Sequence, residues 1–167
     1  MNQFVSEAVF GEIVSIALEY RFQNIQALSE EQKKALHGLI NRKDVFAILP
    51  TGHGKSLIFQ LLPDLCRQLS VRGYSYPTNP IIMVICPLKS LIESHIRELQ
   101  SYGLTAAAVS GDEVNDDAIL RGEYSFVFGS PESFLQNEKW RQMLLSKDYQ
   151  SRLLTFVTDE AHVVPKW

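Results

Sequence analysis

The sequence is short of cysteine, of positive charge and of long apolar runs, and each shortage removes a class of protein. Of its 167 residues only two are cysteine, Cys66 and Cys86, far apart and inside apolar runs. That excludes a disulfide scaffold and a zinc-binding spacing, and it reads as a pair of buried, reduced thiols in an intracellular protein. No stretch approaches the about 18 uninterrupted apolar residues of a membrane-spanning helix. The N-terminus sets Glu7 and Glu12 among apolar residues without a basic start, so it is not a secretory signal. Acidic residues outnumber Lys and Arg by 19 to 16, leaving a net charge of −3. The basic surplus of a general nucleic-acid binder is therefore missing, and any DNA contact rests on local backbone donors and a few side chains. There is no internal repeat. The one biased stretch, Arg72 to Pro80, reads as an exposed loop.

What is present is a globular composition, 46% apolar and 21% charged, at the length of one ordinary domain. Strand-like runs alternate with helical patterns. Strands are expected at Asp44–Leu49, Ile81–Cys86, Thr105–Val109, Tyr124–Phe128 and Leu153–Thr158. Helices are expected at Ser56–Ser70, Ser90–Ser101, near Asp112–Leu120 and near Asn137–Ser146. Continuous apolar strands separated by helices predict an α/β fold: a mostly parallel central sheet with helices on both faces, in outline a RecA-like P-loop sandwich. Ahead of it a helical stretch covers roughly Glu7–Tyr20, and Ser29-Glu30-Glu31-Gln32 has the form of a capping box opening a helix through Asn41. The expected division is a helical extension over residues 1–28 and an ATP-binding lobe over 29–167.

Two segments carry the chemistry. Leu49-Pro50-Thr51-Gly52-His53-Gly54-Lys55-Ser56 follows one apolar run. A triphosphate needs backbone N–H groups converging on one place and a cation for its outer oxygens. Gly52 and Gly54 let the backbone curl, and a helix opening at Lys55 turns its N-terminus to the anion. Lys55 is placed for the β- and γ-phosphates, and the Ser56 hydroxyl for Mg²⁺. The strict G-x-x-x-x-G-K-[ST] pattern fails at its first position, occupied by Leu49, and His53 stands where a small residue is usual.

Thr158-Asp159-Glu160-Ala161-His162 follows the last strand. A carboxylate leaving the C-terminal edge of a parallel sheet lies where such sheets bind ligands. Asp159 is suited to hold Mg²⁺ through water, Glu160 to polarise an attacking water, and His162 to relay the nucleotide state.

These segments, with those between them, resemble the superfamily 2 helicases, and among them the RecQ-like DNA helicases. Pro50 to Gln60 resembles their motif I, including an apolar residue at Leu49. Gln32 lies 23 residues before Lys55, the family spacing of the glutamine that reads adenine. The resemblance makes Gln32, Thr51, Gly52, His53, Gly54, Lys55 and Ser56 nucleotide-binding, Ser56 and Asp159 the Mg²⁺ holders, and Lys55, Glu160 and His162 catalytic. Cys86-Pro87-Leu88-Lys89-Ser90-Leu91-Ile92 resembles motif Ia and Gly129-Ser130-Pro131-Glu132 resembles motif Ib, which implies DNA contacts by Lys89, Ser90 and Ser130. Without the resemblance, their serines read as loop caps. Ser110-Gly111 is a weaker candidate of the same kind. Trp167 stands where the family stacks a tryptophan on a base. The sequence departs from the pattern at Leu28 and Ser29, where an aromatic-Arg pair is usual, and at His53, where a glycine is. Phe22 or Tyr20 is left to stack on adenine.

The resemblance implies an ATP- and Mg²⁺-dependent 3′-to-5′ DNA helicase acting on single-stranded and duplex DNA in repair and recombination. It works inside the cell, in the nucleus if the source is eukaryotic. The chain ends seven residues past Glu160. This predicts a fragment without the second RecA-like lobe, weak in nucleotide binding and nearly inactive alone. Two other readings stay open: a nucleic-acid-binding or regulatory module with an idle ATP site, and an RNA helicase of the same superfamily.

Overall fold

The computed structural model describes residues 3–161. It divides into two units, Met1–Thr78 and Asn79–Trp167.

The first unit is helical. Helix α1 (Glu7–Tyr20) starts at Ser6, whose hydroxyl accepts the Val9 N–H, and buries Phe10, Ile13, Val14, Ala17 and Leu18 along one stripe. Helix α2 (Glu30–Ile40) begins with the expected capping box. The Ser29 side chain accepts the Gln32 N–H, and the Gln32 side chain accepts the Ser29 N–H. The helix expected over Ser56–Ser70 is two helices, α3 (Lys55–Gln60) and α4 (Leu62–Val71). Pro63 causes the break: it has no N–H to give the carbonyl four residues back, and its ring crowds that carbonyl. It sits instead in the first turn of α4, where no N–H is needed. Helices α1 and α4 are tied at Asp64, a residue only 4% exposed. Arg21 donates to its carboxylate from Nε at 2.6 Å and Nη2 at 3.2 Å, and Arg67 from Nη1 at 3.0 Å.

The strand expected at Asp44–Leu49 does not form. Among the described residues no ladder includes this segment, and Phe46 and Ile48 are 80% and 82% exposed. An apolar run becomes a strand only when its N–H and C=O groups meet a neighbouring backbone, and composition cannot supply that partner.

The second unit holds the sheet: β1 (Ile81–Ile85), β2 (Ala106–Ala108), β3 (Phe126–Gly129) and β4 (Leu153–Thr158), in the order β2-β3-β1-β4 and parallel throughout. The crossovers are helical, with α5 (Lys89–Ser101) after β1, α6 (Glu113–Leu120) after β2, and α7 (Pro131–Leu135), α8 (Glu138–Leu145) and α9 (Lys147–Arg152) after β3. Strand alternation sends successive side chains to opposite faces. Ile81, Met83 and Val127 pack with Ile119, Trp140, Met143 and Tyr149 from the later helices. On the other face Phe128 stacks against His95 of α5. Helices therefore cover both faces, as expected. The expected strands and helices of this unit are all present, with bounds that differ by at most two residues: β4 matches its expected range, α5 begins one residue early, β3 is shifted toward Gly129, and the others are shorter by one or two. Helices α7 and α9 are additional, each started by a serine cap, Ser130 and Ser146.

Candidate functional site

In the first unit the phosphate loop leads into α3. Gly52 and Gly54 have φ of 80° and 68°, in the left-handed region that side chains disfavour. Gly54 caps α3, and Lys55 and Ser56 occupy its first turn. Thr51, Gly52, His53 and Lys55 are exposed, while Gly54 and Ser56 are half-buried. The His53 N–H donates to the Pro50 carbonyl at 3.2 Å, and its Nδ1 lies 3.2 Å from the Thr51 carbonyl.

Gln32 is buried against this loop. Its Nε2 donates to the carbonyls of His53 at 3.3 Å and Gly54 at 3.1 Å, while its Oε1 accepts the Ser29 N–H. The carboxamide thus ties the start of α2 to the phosphate loop. The approach is close: a Cβ on Gly54 would stand 2.6 Å from Gln32 Nε2.

In the second unit the parallel sheet brings the remaining candidates to one edge. Lys89 and Ser90 follow β1, Ser110 follows β2, Ser130 follows β3 and Asp159 follows β4, each after the C-terminal end of its strand. Lys89, Ser110, Gly111 and Ser130 line one groove there. Ser90 is the next residue of α5, outside that lining. The Ser130 hydroxyl accepts the Ser133 N–H at 3.2 Å and lies 3.0 Å from Ser133 Oγ, so it caps α7 with Pro131 in the first turn. Gly129 is needed beside it, since a Cβ there would meet the Phe134 ring at 2.6 Å.

Asp159 extends the β4 ladder, its N–H donating to the Ile85 carbonyl at 3.0 Å. Its Oδ1 accepts the Glu160 N–H at 3.0 Å, and its Oδ2 lies 2.8 Å from His95 Nε2. Glu160 has φ of 56°, a left-handed backbone conformation costing a side-chain-bearing residue roughly 1–3 kcal/mol. Burial raises the Cys86 thiol above its ordinary pKa, and the charges of Asp159 and Glu160 push the same way. His162 and Trp167 lie outside the described residues.

Sequence reasoning missed His95. The signal was there in part: Ile92, His95 and Leu99 share the buried stripe of α5, and a histidine in a core position needs a polar partner. The partner is 64 residues away and cannot be read from spacing.

Ser56 and Asp159 offer hydroxyl and carboxylate oxygens, the hard donors that Mg²⁺ prefers. Among the described residues no group of three or more His, Cys, Asp or Glu could hold a metal. A lone hydroxyl in the first unit and a lone carboxylate in the second each suit an ion that keeps most of its ligands as water and phosphate oxygens rather than one caged by protein.

A left-handed Gly-Lys-Ser turn and a parallel sheet with an acidic pair at its C-terminal edge define a P-loop nucleotide-binding protein of the RecA-like class. Residues 29–167 match the model of the DEAD/DEAH box helicase family, and the chain belongs to that family. It is similar to the ATP-dependent DNA helicase hus2/rqh1 of Schizosaccharomyces pombe, 29% identical over 90% of this chain and 11% of that protein. It is 28% identical to the ATP-dependent DNA helicase Q1 of Rattus norvegicus over 86% of this chain and 22% of that protein. With the ATP-dependent DNA helicase RecQ of Haemophilus influenzae it shares 24% identity over 85% of this chain and 21% of that protein. The chain thus spans between about a tenth and a quarter of the length of these relatives.

Proposed function

We propose that this chain is the ATP-binding lobe of an ATP-dependent DNA helicase, whose intact form couples hydrolysis to movement along single-stranded DNA and to duplex unwinding. The observation that carries this is the left-handed backbone at Gly52 and Gly54, which opens α3 with Lys55 and Ser56 in its first turn. The backbone of Thr51, Gly52, His53 and Gly54 cradles the phosphates, and Lys55 binds the outer ones. Ser56 and Asp159 orient the nucleotide's metal, and Glu160 accepts the proton of the attacking water. Magnesium, when bound, neutralises charge on the phosphate oxygens. Gln32 reads the adenine edge by exchanging its hydrogen bonds to the loop carbonyls for bonds to the base. His162 relays the nucleotide state. Lys89, Ser90 and Ser130 grip sugar-phosphate, and Trp167 stacks on a base.

Translocation runs 3′ to 5′, with a second RecA-like lobe supplying the rest of the active site. Residues 1–28 extend the lobe at 29–167. The enzyme works inside the cell, in the nucleus of a eukaryote. The 167-residue chain alone binds nucleotide weakly and hydrolyses almost none. Strong turnover stimulated by single-stranded DNA, abolished by Lys55→Ala, would contradict that last statement; equal stimulation by RNA would contradict the choice of DNA.

One observation favours a second reading, an idle ATP site in a regulatory or nucleic-acid-binding module. The Gln32 carboxamide is already engaged at both ends by backbone groups. If it never lets go, it serves as a brace and not as a reader of adenine.

A further inference from the structure

His95 and Asp159 come from different elements and meet with the imidazole buried and the carboxylate half-buried. His95 lies on α5 with 8% exposure, and its ring stacks on Phe128 at 5.7 Å between centroids and 15° between planes. The stack fixes the imidazole plane. From that plane Nε2 reaches Asp159 Oδ2 at 2.8 Å, while Oδ1 is held by the Glu160 N–H at 3.0 Å. With the Asp159 N–H bonded to Ile85, the backbone and both carboxylate oxygens of this residue are constrained.

We propose that His95 is a positioning residue: its Nε2–H donates to Asp159 Oδ2 and holds the carboxylate in the orientation in which it receives a magnesium–nucleotide complex. This rests on the role given to Asp159 above. The chemistry is general. A carboxylate fixed beforehand loses less freedom on binding. Partners behind a metal-holding group are worth about 10- to 100-fold in metal affinity. The same α5 carries Lys89 and Ser90 at its start, so one helix braces Asp159 and presents the proposed DNA contacts.

The test is a Mg²⁺ titration of the binding of a fluorescent ATP analogue to the 167-residue chain, with no turnover required. His95→Phe keeps a ring on Phe128 and removes the donor. His95→Gln returns an N–H at the position of Nε2. His95→Ala removes both. Thermal melts identify any variant that does not fold, and the remaining ones decide. We expect the Mg²⁺ midpoint to rise about 10-fold in His95→Phe and His95→Ala and to stay within about 3-fold in His95→Gln, with metal-free nucleotide affinity unchanged. A structural role alone would lower the melting temperature and leave the midpoint in place. An unmoved midpoint in His95→Phe, with Asp159→Ala shifted, overturns the role of His95 and leaves that of Asp159 standing. An unmoved midpoint in Asp159→Ala, or Mg²⁺-independent binding by the unsubstituted chain, overturns both.

Discussion

Gly54 bears more of the phosphate loop than any side chain in it. Its φ of 68° costs a side-chain-bearing residue roughly 1–2 kcal/mol. A methyl group would also enter the space of Gln32 Nε2 and disturb the capping box. Gly54→Ala is therefore expected to destabilise by about 2–3 kcal/mol in urea unfolding, strain and lost cap together. Gly11, in the middle of α1 with nothing within 4 Å of a built Cβ, is the control. Gly11→Ala should stabilise by about 0.5–1 kcal/mol, because helix interiors favour alanine. At this scale the sequence was most legible where contacts are local. The Ser29–Gln32 box is complete within four residues, and the Gly-Lys-Ser turn is equally self-contained. The second use of Gln32, on the loop carbonyls, and the pairing of His95 with Asp159 join residues 21 to 64 positions apart. Nothing in their spacing announces them.

Asp64 and Cys66 decide how the helices of the first unit hold. Asp64 is buried and takes three hydrogen bonds from two arginines, so Asp64→Ala removes the buried carboxylate they share and should cost about 3 kcal/mol. Arg67 is 45% exposed, and Arg67→Ala should cost less than about 1 kcal/mol in the same urea titration. Equal losses would show that the buried pair has no special weight. Two residues on, burial pushes the Cys66 thiol from about 9 up to about 12, against a smaller opposing effect of Arg42. The unfolded chain then gives up this proton first as pH rises. The stability the thiol contributes is whole below pH 9 and is lost between there and pH 12. The unfolding free energy measured against pH should fall more steeply over that window in the natural chain than in Cys66→Ala, and parallel curves would contradict it. Elements were legible when they were long and periodic. The single helix expected over Ser56–Ser70 runs through Pro63, although a proline there is itself the signal for the break between α3 and α4. The short α7 and α9 carry too few residues for a period, only their serine caps. Asp44–Leu49 failed for the opposite reason, since a strong apolar pattern does not contain its pairing partner.

At the scale of the whole molecule, parallel strands gather separate loops. Residues after β1, β2, β3 and β4 reach the same sheet edge because every strand runs the same way. That alternation of strand and helix could be read directly, and with it the class of protein; strand order could not, since β1 lies between β3 and β4. The chain belongs to the DEAD/DEAH box helicases, and ATP with Mg²⁺ is the ligand proposed for its phosphate loop. The direct measurement is an equilibrium titration of ATP with and without Mg²⁺, on the natural chain and on Lys55→Ala. Measurable affinity that Mg²⁺ strengthens is expected, falling by at least about 10-fold in Lys55→Ala through loss of one charge-assisted contact. No affinity under either condition, or the same affinity in Lys55→Ala, would contradict it.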